Sequence, residues 1–95
     1  MPPDAHLPEL QTYLKRICQE RGWDKNTDLE MFLLLAEEVG ELADAIRQHE
    51  AGTLTDRWAL EEEFADVLSY LIDLANHFEI DLDTALQRTS PSWCD

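Results

Sequence analysis

The sequence predicts an all-α fold, a helical bundle of three main helices followed by a short C-terminal helix. Apolar residues recur at spacings of three and four, and a residue suited to helix capping precedes each of the last three apolar segments. No segment alternates between apolar and polar residues as a half-buried β-strand does. Because 95 residues suffice for one small core, we expect a single domain over residues 1–95, with its core within about residues 7–88 and a loose tail over residues 89–95.

The first helix is predicted from a short apolar stripe. Its apolar residues follow one another at spacings typical of one helix face: Leu7, Leu10, Leu14 and Ile17. We expect this helix to end near Gly22, because glycine readily adopts the left-handed conformation that closes many helices. The polar connector after it, residues 23–28, contains one aromatic residue, Trp23.

The second helix is predicted to begin after a cap at Thr27 or Asp28 and to run to about Gln48. Its apolar residues define one face: Met31, Phe32, Leu35, Val39, Leu42 and Ile46. Three acids fall on the flank of that face: Glu37, Glu38 and Glu41.

The third helix is predicted to follow a cap at Thr55 or Asp56. Its core side should carry seven apolar residues: Leu60, Phe64, Val67, Leu71, Leu74, Ala75 and Phe78. A polar stripe runs beside them: Glu63, Asp66, Tyr70, Asp73 and His77. Asp81 is the predicted cap of the short fourth helix, which should reach about Gln87.

The charge balance limits the function of the chain. Acidic residues number 21 against 7 Lys and Arg, which gives a formal net charge of -14. We therefore expect no direct nucleic-acid binding, since such a surface repels the phosphate backbone. A free polyphosphate is repelled in the same way, so a phosphate-bearing substrate would have to arrive with, or onto, a bound metal.

Cysteine use and hydropathy bear on location. Cys18 and Cys94 form no disulfide framework. The first residues lack the basic and apolar regions of a secretory signal, and no apolar stretch approaches the roughly 20 residues that span a bilayer. We expect a cytoplasmic protein without membrane contact.

Two pairs of acids are the strongest functional signal. Glu38 and Glu41 lie one turn apart on the second predicted helix, and Glu63 and Asp66 do so on the third. Like charges at this spacing repel each other unless something positive lies between them. Mg²⁺ prefers oxygen ligands and is usually held by a few carboxylates together with substrate phosphates. The pairs thus favour a divalent-cation site over the simpler interpretation of solvated charges on helix flanks.

Two other kinds of metal site fit the sequence poorly. A carboxylate-bridged di-iron bundle normally has Glu-x-x-His on two helices, and none of the 3 histidines follows a Glu at that spacing. An EF-hand loop beginning at Asp81 would need a Gly and a terminal Glu that the chain lacks there.

Three segments carry a resemblance to a known family. They are residues 35–46 (LAEEVGELADAI), residues 60–71 (LEEEFADVLSYL) and residues 80–82 (IDL). The chain resembles, over roughly residues 10–88, the all-α MazG-like nucleoside triphosphate pyrophosphohydrolases, and it is most similar to the small single-domain branch that includes dCTP pyrophosphatases. The resemblance implies Mg²⁺-dependent hydrolysis of a (d)NTP to the monophosphate and pyrophosphate, with Mn²⁺ as an alternative ion, and a role in removing unwanted nucleotides. It also implies a homodimer or a dimer of dimers. We expect a second copy to complete a four-helix bundle with the second and third helices, because these two helices alone cannot bury both their core face and its flank.

The resemblance assigns roles to individual residues. It implies four metal ligands: Glu38, Glu41, Glu63 and Asp66. Either Glu38 or Glu41 would accept the proton of a water that attacks the α-phosphorus. Glu37 and Glu62 are adjacent acids, of which we expect Glu37 to contribute to substrate binding.

Three further substrate contacts are expected. Tyr70 matches a tyrosine that lies beside the substrate in related enzymes, although a core-edge position explains it equally well. Trp23 matches an aromatic residue that packs near the base, although a Trp after a helix cap often only packs onto the core. Asp73 extends the polar face two turns beyond Asp66 and could orient water or Tyr70.

The sequence differs from the family pattern at two places, and two other functions remain open. The resemblance ends near Thr89, downstream of every metal-ligand candidate, and Gln48 stands where some dCTP-preferring relatives have a Trp. The preferred base is therefore open. The alternatives are phosphoribosyl-ATP pyrophosphohydrolysis, which shares the fold and chemistry, and a non-catalytic helical module whose acidic face binds a basic partner.

Overall fold

The computed structural model describes residues 6–89, and these residues are helical throughout apart from short connections. The α-helices are α1 (Leu7–Glu20), α2 (Asp28–Ala51), α3 (Arg57–His77) and α4 (Leu82–Thr89), with a 3-10 turn at Trp23–Lys25. No β-strand occurs within this range, which confirms the all-α class. Across residues 6–89, each helix is too short or too polar to span a bilayer. The predicted tail over residues 89–95 lies outside the described residues, apart from Thr89 at the end of α4.

The chain divides into two compact units. One unit is residues 27–71, which hold α2 and most of α3. The other, within the described residues, is formed by residues 6–26 and 72–89, which hold α1, the 3-10 turn, the end of α3 and α4.

Helix α1 ends where the sequence predicts. Its last residue is Glu20, and Gly22 adopts the left-handed conformation with φ 74°. A side chain at Gly22 would meet nothing within 4 Å, so the backbone angle alone favours glycine there.

Helix α1 buries polar as well as apolar side chains. The four residues of its apolar stripe are half-buried: Leu7, Leu10, Leu14 and Ile17. The side chains that α1 buries are instead those of Gln11 and Cys18. Burial of Gln11 is possible because its amide groups bond to Asn76, Ile80 and Leu82, as polar groups away from water require.

Helix α4 begins at the predicted cap. One carboxylate oxygen of Asp81 accepts hydrogen bonds from the backbone N–H groups of Asp83 and Thr84, at 3.1 and 3.3 Å. Its other oxygen accepts from the Thr84 hydroxyl at 3.1 Å. Asp81 thereby satisfies donors that the first turn of a helix leaves without partners.

Helix α2 begins at a capping box and runs further than predicted. The Thr27 hydroxyl accepts from the backbone N–H of Glu30 at 3.1 Å, and the Glu30 carboxylate accepts from the Thr27 N–H at 3.0 Å. The helix continues three residues past Gln48, to Ala51, and stops only where Gly52 takes φ 74°. The prediction was wrong because the apolar pattern fades before the backbone meets a residue that closes the helix.

Helix α3 begins after Asp56, whose carboxylate accepts from the Trp58 N–H at 3.0 Å. The described residues bury fewer apolar side chains than predicted: Met31 and Ala45 in the unit of residues 27–71, and Cys18, Ile72 and Ala75 in the other unit. Several predicted core residues are exposed: Phe32, Val39, Ile46, Phe64, Leu71 and Phe78. The periodicity identified an apolar face correctly, but a single copy of the chain leaves much of that face uncovered.

Candidate metal centre

Three glutamates of the unit formed by residues 27–71 meet at one point. Glu38 and Glu41 lie one turn apart on α2, and Glu63 lies on α3. Each offers one carboxylate oxygen, and these oxygens all lie within 4.8 Å of one another. We refer to Glu38, Glu41 and Glu63 as the carboxylate triad.

Two oxygens of the triad are buried without a hydrogen-bond partner. They are Oε2 of Glu38 and Oε2 of Glu63. Removing a charged oxygen from water is unfavourable unless a donor or a cation compensates it. Since both oxygens belong to residues of one cluster, a bound cation would compensate both at once.

Burial and mutual repulsion raise the pKa values of two triad members. Burial is the main cause for Glu38, followed by the charge of Glu41, and together with nearby acids they raise its pKa to about 7. Burial also raises the pKa of Glu63, with the charges of Glu41 and Asp66 adding to it. Both groups therefore resist carrying their charges in the absence of a counter-ion.

The ligand chemistry fits a hard divalent cation. The donors are carboxylate oxygens from two helices, which suits Mg²⁺ and Mn²⁺ and does not suit a metal that requires sulfur or imidazole ligands. Neighbouring carboxylates of this kind could also accept a proton from a bound water.

Asp66, the fourth predicted ligand, lies near the triad but outside the 4.8 Å cluster. Its proximity is evident because its charge raises the pKa of Glu38 and that of Glu63. The structure thus brings three of the four predicted ligands together and places the fourth close to them.

The other predicted site residues are distributed over both units. Glu37 is exposed on α2, beside Glu38 in sequence, and Tyr70 is half-buried on α3. Trp23, in the 3-10 turn, is 48% exposed, and the Arg21 guanidinium lies 4.9 Å from the centre of its ring. This cation–π contact occupies one face of the Trp23 ring.

Asp73 has a partner that the sequence did not reveal. The Cys18 thiol donates to the Asp73 carboxylate, with sulfur and oxygen 3.4 Å apart. Burial raises the pKa of Asp73, and burial together with the charge of Asp73 raises the pKa of Cys18 to about 12. The thiol therefore stays protonated and keeps its role as donor. The sequence signal for this contact was weak: Cys18 follows Leu14 of the apolar stripe by four residues, and Asp73 belongs to the polar stripe beside the core side of the third helix.

The comparisons with known proteins agree with this geometry. The MazG nucleotide pyrophosphohydrolase domain family matches residues 26–91, which include the whole triad. The dCTP pyrophosphatase 1 of Rattus norvegicus is 34% identical over 92 residues, and that of Homo sapiens is 32% identical over 92 residues; each alignment covers 88% of this chain and 54% of the relative. An uncharacterized Bacillus subtilis protein, YvdC, is 26% identical over 91 residues, with 85% of this chain and 86% of that protein covered.

The chain spans about half the length of the dCTP pyrophosphatases that it matches. The family match, in contrast, extends over well more than half of this chain and contains the residues 35–46 and 60–71 that carry the acidic pairs. The chain therefore belongs to the MazG nucleotide pyrophosphohydrolase domain family.

Proposed function

We propose that the chain is an Mg²⁺-dependent nucleoside triphosphate pyrophosphohydrolase that converts a (d)NTP to the monophosphate and pyrophosphate. One observation carries this proposal: two buried carboxylate oxygens without partners belong to a triad in which one oxygen of each member lies within 4.8 Å of the others. Membership of the MazG family and the names of the dCTP pyrophosphatase relatives support the same reaction.

Glu38, Glu41 and Glu63 would hold the metal, with Asp66 as a fourth ligand, directly or through water. Mg²⁺ is the proposed ion, and Mn²⁺ would satisfy the same oxygen donors. When bound, the ion supplies positive charge that neutralises the triphosphate and makes an attacking water more acidic.

The residues of the chain would position the reactants and move one proton. Water attacks the α-phosphorus, a new P–O bond forms there, and the bond to the bridging oxygen of the β-phosphate breaks, which releases pyrophosphate. Glu38 or Glu41 accepts the proton of the attacking water. The proposed substrate contacts are Glu37, Tyr70, Trp23 and Asp73.

The proposed setting follows from charge and from the reaction. A net charge of -14 disfavours contact with nucleic acids, so the substrate would be a free nucleotide that arrives with its cation. Hydrolysis of free nucleotides suits removal of surplus or noncanonical nucleotides in the cytoplasm.

Pyrophosphate release from a panel of dNTPs, NTPs and phosphoribosyl-ATP with Mg²⁺ tests the function. We expect turnover of at least one (d)NTP, and a loss of roughly 10- to 100-fold in kcat/KM for Asp66→Asn, because Asp66 supports the triad. Glu61→Gln removes the same charge from an exposed α3 position and should stay within about twofold.

Three results would contradict this proposal. Turnover confined to phosphoribosyl-ATP would reassign the substrate. An absence of turnover together with an absence of any Mg²⁺-dependent thermal shift would favour a non-catalytic binding module. Full activity of Asp66→Asn would exclude Asp66 from the site.

We also propose that the chain assembles as a homodimer, or as a dimer of such dimers. On α2 the exposed side chains of Phe32, Val39 and Ile46 recur at a spacing of seven, as on a helix face that packs against another helix. Helix α3 carries three more exposed apolar residues: Phe64, Leu68 and Leu71. A second copy that covers these residues would complete a four-helix bundle.

Light scattering of wild-type protein and Leu68→Glu tests this assembly. Leu68 is 50% exposed in a single copy, so a charge there should be tolerated by the monomer and should disrupt an apolar interface. We expect a wild-type dimer or tetramer and a monomeric variant. Leu86→Glu, at a similarly exposed position on α4, should leave the wild-type mass unchanged. A monomeric wild type would contradict the proposal.

A further inference from the structure

A cavity of about 370 Å³ lies between α1 and the connection from α3 to α4, within the unit formed by residues 6–26 and 72–89. Its volume falls in the range of about 300–1,000 Å³ that is typical of small-molecule sites. Gln11 and Asn76 form a fixed polar part of its wall, because two hydrogen bonds of 3.1 and 3.0 Å join them. The carboxylate triad belongs to the other unit.

Two opposite charges line this cavity without being matched by a neighbour. They are the Lys15 ammonium on α1 and the Glu79 carboxylate just after α3. Within residues 6–89 neither side chain forms an ion pair or a hydrogen bond, with each other or with any other group. Asp81 also lines the cavity, but both of its oxygens already accept hydrogen bonds in the cap of α4. Lys15 and Glu79 are therefore the charged groups that a ligand could engage.

Glu79 occupies a position that favours glycine. Its φ of 56° lies in the left-handed region, where a side chain is strained. Its N–H donates to the Asn76 carbonyl at 3.1 Å, and the Ile80 N–H donates to the Ala75 carbonyl at 2.9 Å. Glycine is the usual residue at this position of such a helix ending, and it would close α3 equally well. Strained residues cluster at functional sites, and here the strained residue brings to the cavity a carboxylate that the fold does not use.

The chemistry of the wall matches a molecule that carries an anion and a cation at once. A carboxylate of such a ligand would accept hydrogen bonds from the Lys15 ammonium, and its own ammonium group would donate to the Glu79 carboxylate. Pro8 and Ile80 add apolar surface to the same wall, and Ile80 is 45% exposed. An apolar side chain on the ligand would remove part of that surface from water.

We propose that this cavity binds a free α-amino acid with an apolar side chain, with Lys15 as the partner of its carboxylate and Glu79 as the partner of its ammonium group. This inference is independent of the proposed function, because binding at the cavity requires neither a metal nor a nucleotide.

Amide NMR spectra of the full chain, titrated with L-leucine, L-methionine and L-phenylalanine in the absence of metal and nucleotide, test the proposal. We expect saturable shifts with at least one of them, concentrated at residues 11–15 and 79–82. Two analogues of leucine separate the charges: isoamylamine lacks the carboxylate, and isocaproate lacks the ammonium group. Each should bind at least roughly tenfold more weakly than leucine, since each loses one charge-assisted contact.

Four variants test the two partners. Lys15→Met and Glu79→Gln should each weaken amino-acid binding by roughly tenfold. Glu79→Gly removes the carboxylate and relieves the left-handed backbone, so it should weaken binding while melting no lower than wild type, which separates loss of the contact from loss of the fold. Lys25→Met removes a charge from an exposed position elsewhere in the same unit and should match wild type.

Three results would overturn the proposal. One is the absence of a saturable shift with all three amino acids, or shifts confined to other parts of the chain. Another is leucine binding no tighter than isoamylamine or isocaproate, which would show that the two charges do not act together. The third is wild-type affinity in Lys15→Met or in Glu79→Gln.

Discussion

Glu38→Gln should abolish most Mg²⁺-dependent pyrophosphate release and, at the same time, raise the melting temperature of the metal-free protein. Loss of one ligand should lower kcat/KM by at least about 100-fold, because the cation contributes several kcal/mol of charge stabilisation. The gain in stability without metal comes from removing the negative charge that would otherwise bind the cation. A neutral amide removes one of three mutually repelling carboxylates and can donate to the other two. We expect about 1–2 kcal/mol after allowance for partial exposure, or roughly 5–10 °C in Tm.

Pyrophosphate release and calorimetric melts with and without Mg²⁺ check both halves of this prediction. Wild-type protein should be stabilised by Mg²⁺, and Glu38→Gln should lose most of that shift. Glu50→Gln removes the same charge from an exposed position of α2 and should change neither activity nor the shift. A lower metal-free Tm for Glu38→Gln would mean that the triad is stabilising without a cation, and retained activity would place the metal elsewhere.

The pKa of Glu38 gives this effect a pH dependence. In the folded protein the pKa is about 7, against 4.5 for an unperturbed Glu, so between these values the folded state holds a proton that the unfolded state has released. Stability of the metal-free protein should therefore fall as the pH rises from about 4.5 to about 7, and the raised pKa of Glu63 acts in the same direction. Saturating Mg²⁺ should offset this loss, since it binds the deprotonated carboxylates. The Glu38→Gln protein should show a shallower decline.

Helix starts were predictable from the sequence because they depend on local chemistry. Thr27 and Asp81 cap their helices through side-chain oxygens that the sequence displays directly. The end of α2 was less predictable. Helical backbone can continue past the last apolar residue at little cost, and here it continued until Gly52 closed the helix.

The sequence indicated which residues form the candidate site, but it indicated less about how their side chains are arranged. Spacing placed Glu38 with Glu41 on one helix, but whether Glu63 or Asp66 would point at that pair depends on how α3 is rotated about its axis. The structure turns Glu63 into the cluster and leaves Asp66 beside it. The cavity beside Glu41 and Glu63 could not be predicted, because the sequence does not show how the connection between α2 and α3 places Leu54 and Ala59 against α2.

Burial was the least predictable property. Apolar periodicity shows which face of a helix avoids water, but it does not show whether the same chain or a second copy covers that face. Phe64 and Leu71 illustrate this point, since they follow the core pattern of α3 and are 55% and 43% exposed in one copy. The burial of polar residues could not be predicted for a different reason. Gln11 is only 7% exposed, and its hydrogen-bond partners lie more than 60 residues away in sequence.

Gln11→Leu should destabilise the unit that contains α1 and α4 more than any other exchange of one polar side chain for an apolar one of similar size. The Gln11 amide donates to the Asn76 carboxamide oxygen at 3.1 Å and to the Ile80 carbonyl at 2.9 Å, and its oxygen accepts from the Leu82 N–H at 2.9 Å. Leucine fills similar space and leaves all three partners without this bond. Because these three bonds are part-buried, each partner left unsatisfied should cost about 1 kcal/mol or less, and we expect a loss of about 1–3 kcal/mol and a fall of roughly 5–15 °C in Tm.

Urea unfolding of Gln11→Leu, Asn76→Leu and the double variant measures this network. The two single losses should add to more than the loss of the double variant, because both remove the bond between Gln11 and Asn76, and Asn76 also donates to the Gln11 backbone carbonyl at 3.0 Å. Gln87→Leu is the matched control: this exposed glutamine bonds to Asp83 of its own helix and to no other residue in the range 6–89, so its loss should stay within about 0.5 kcal/mol. Strict additivity of the two substitutions, or a Gln11→Leu cost no larger than that of Gln87→Leu, would show that water replaces the Gln11 amide and that α4 is held by its apolar contacts instead.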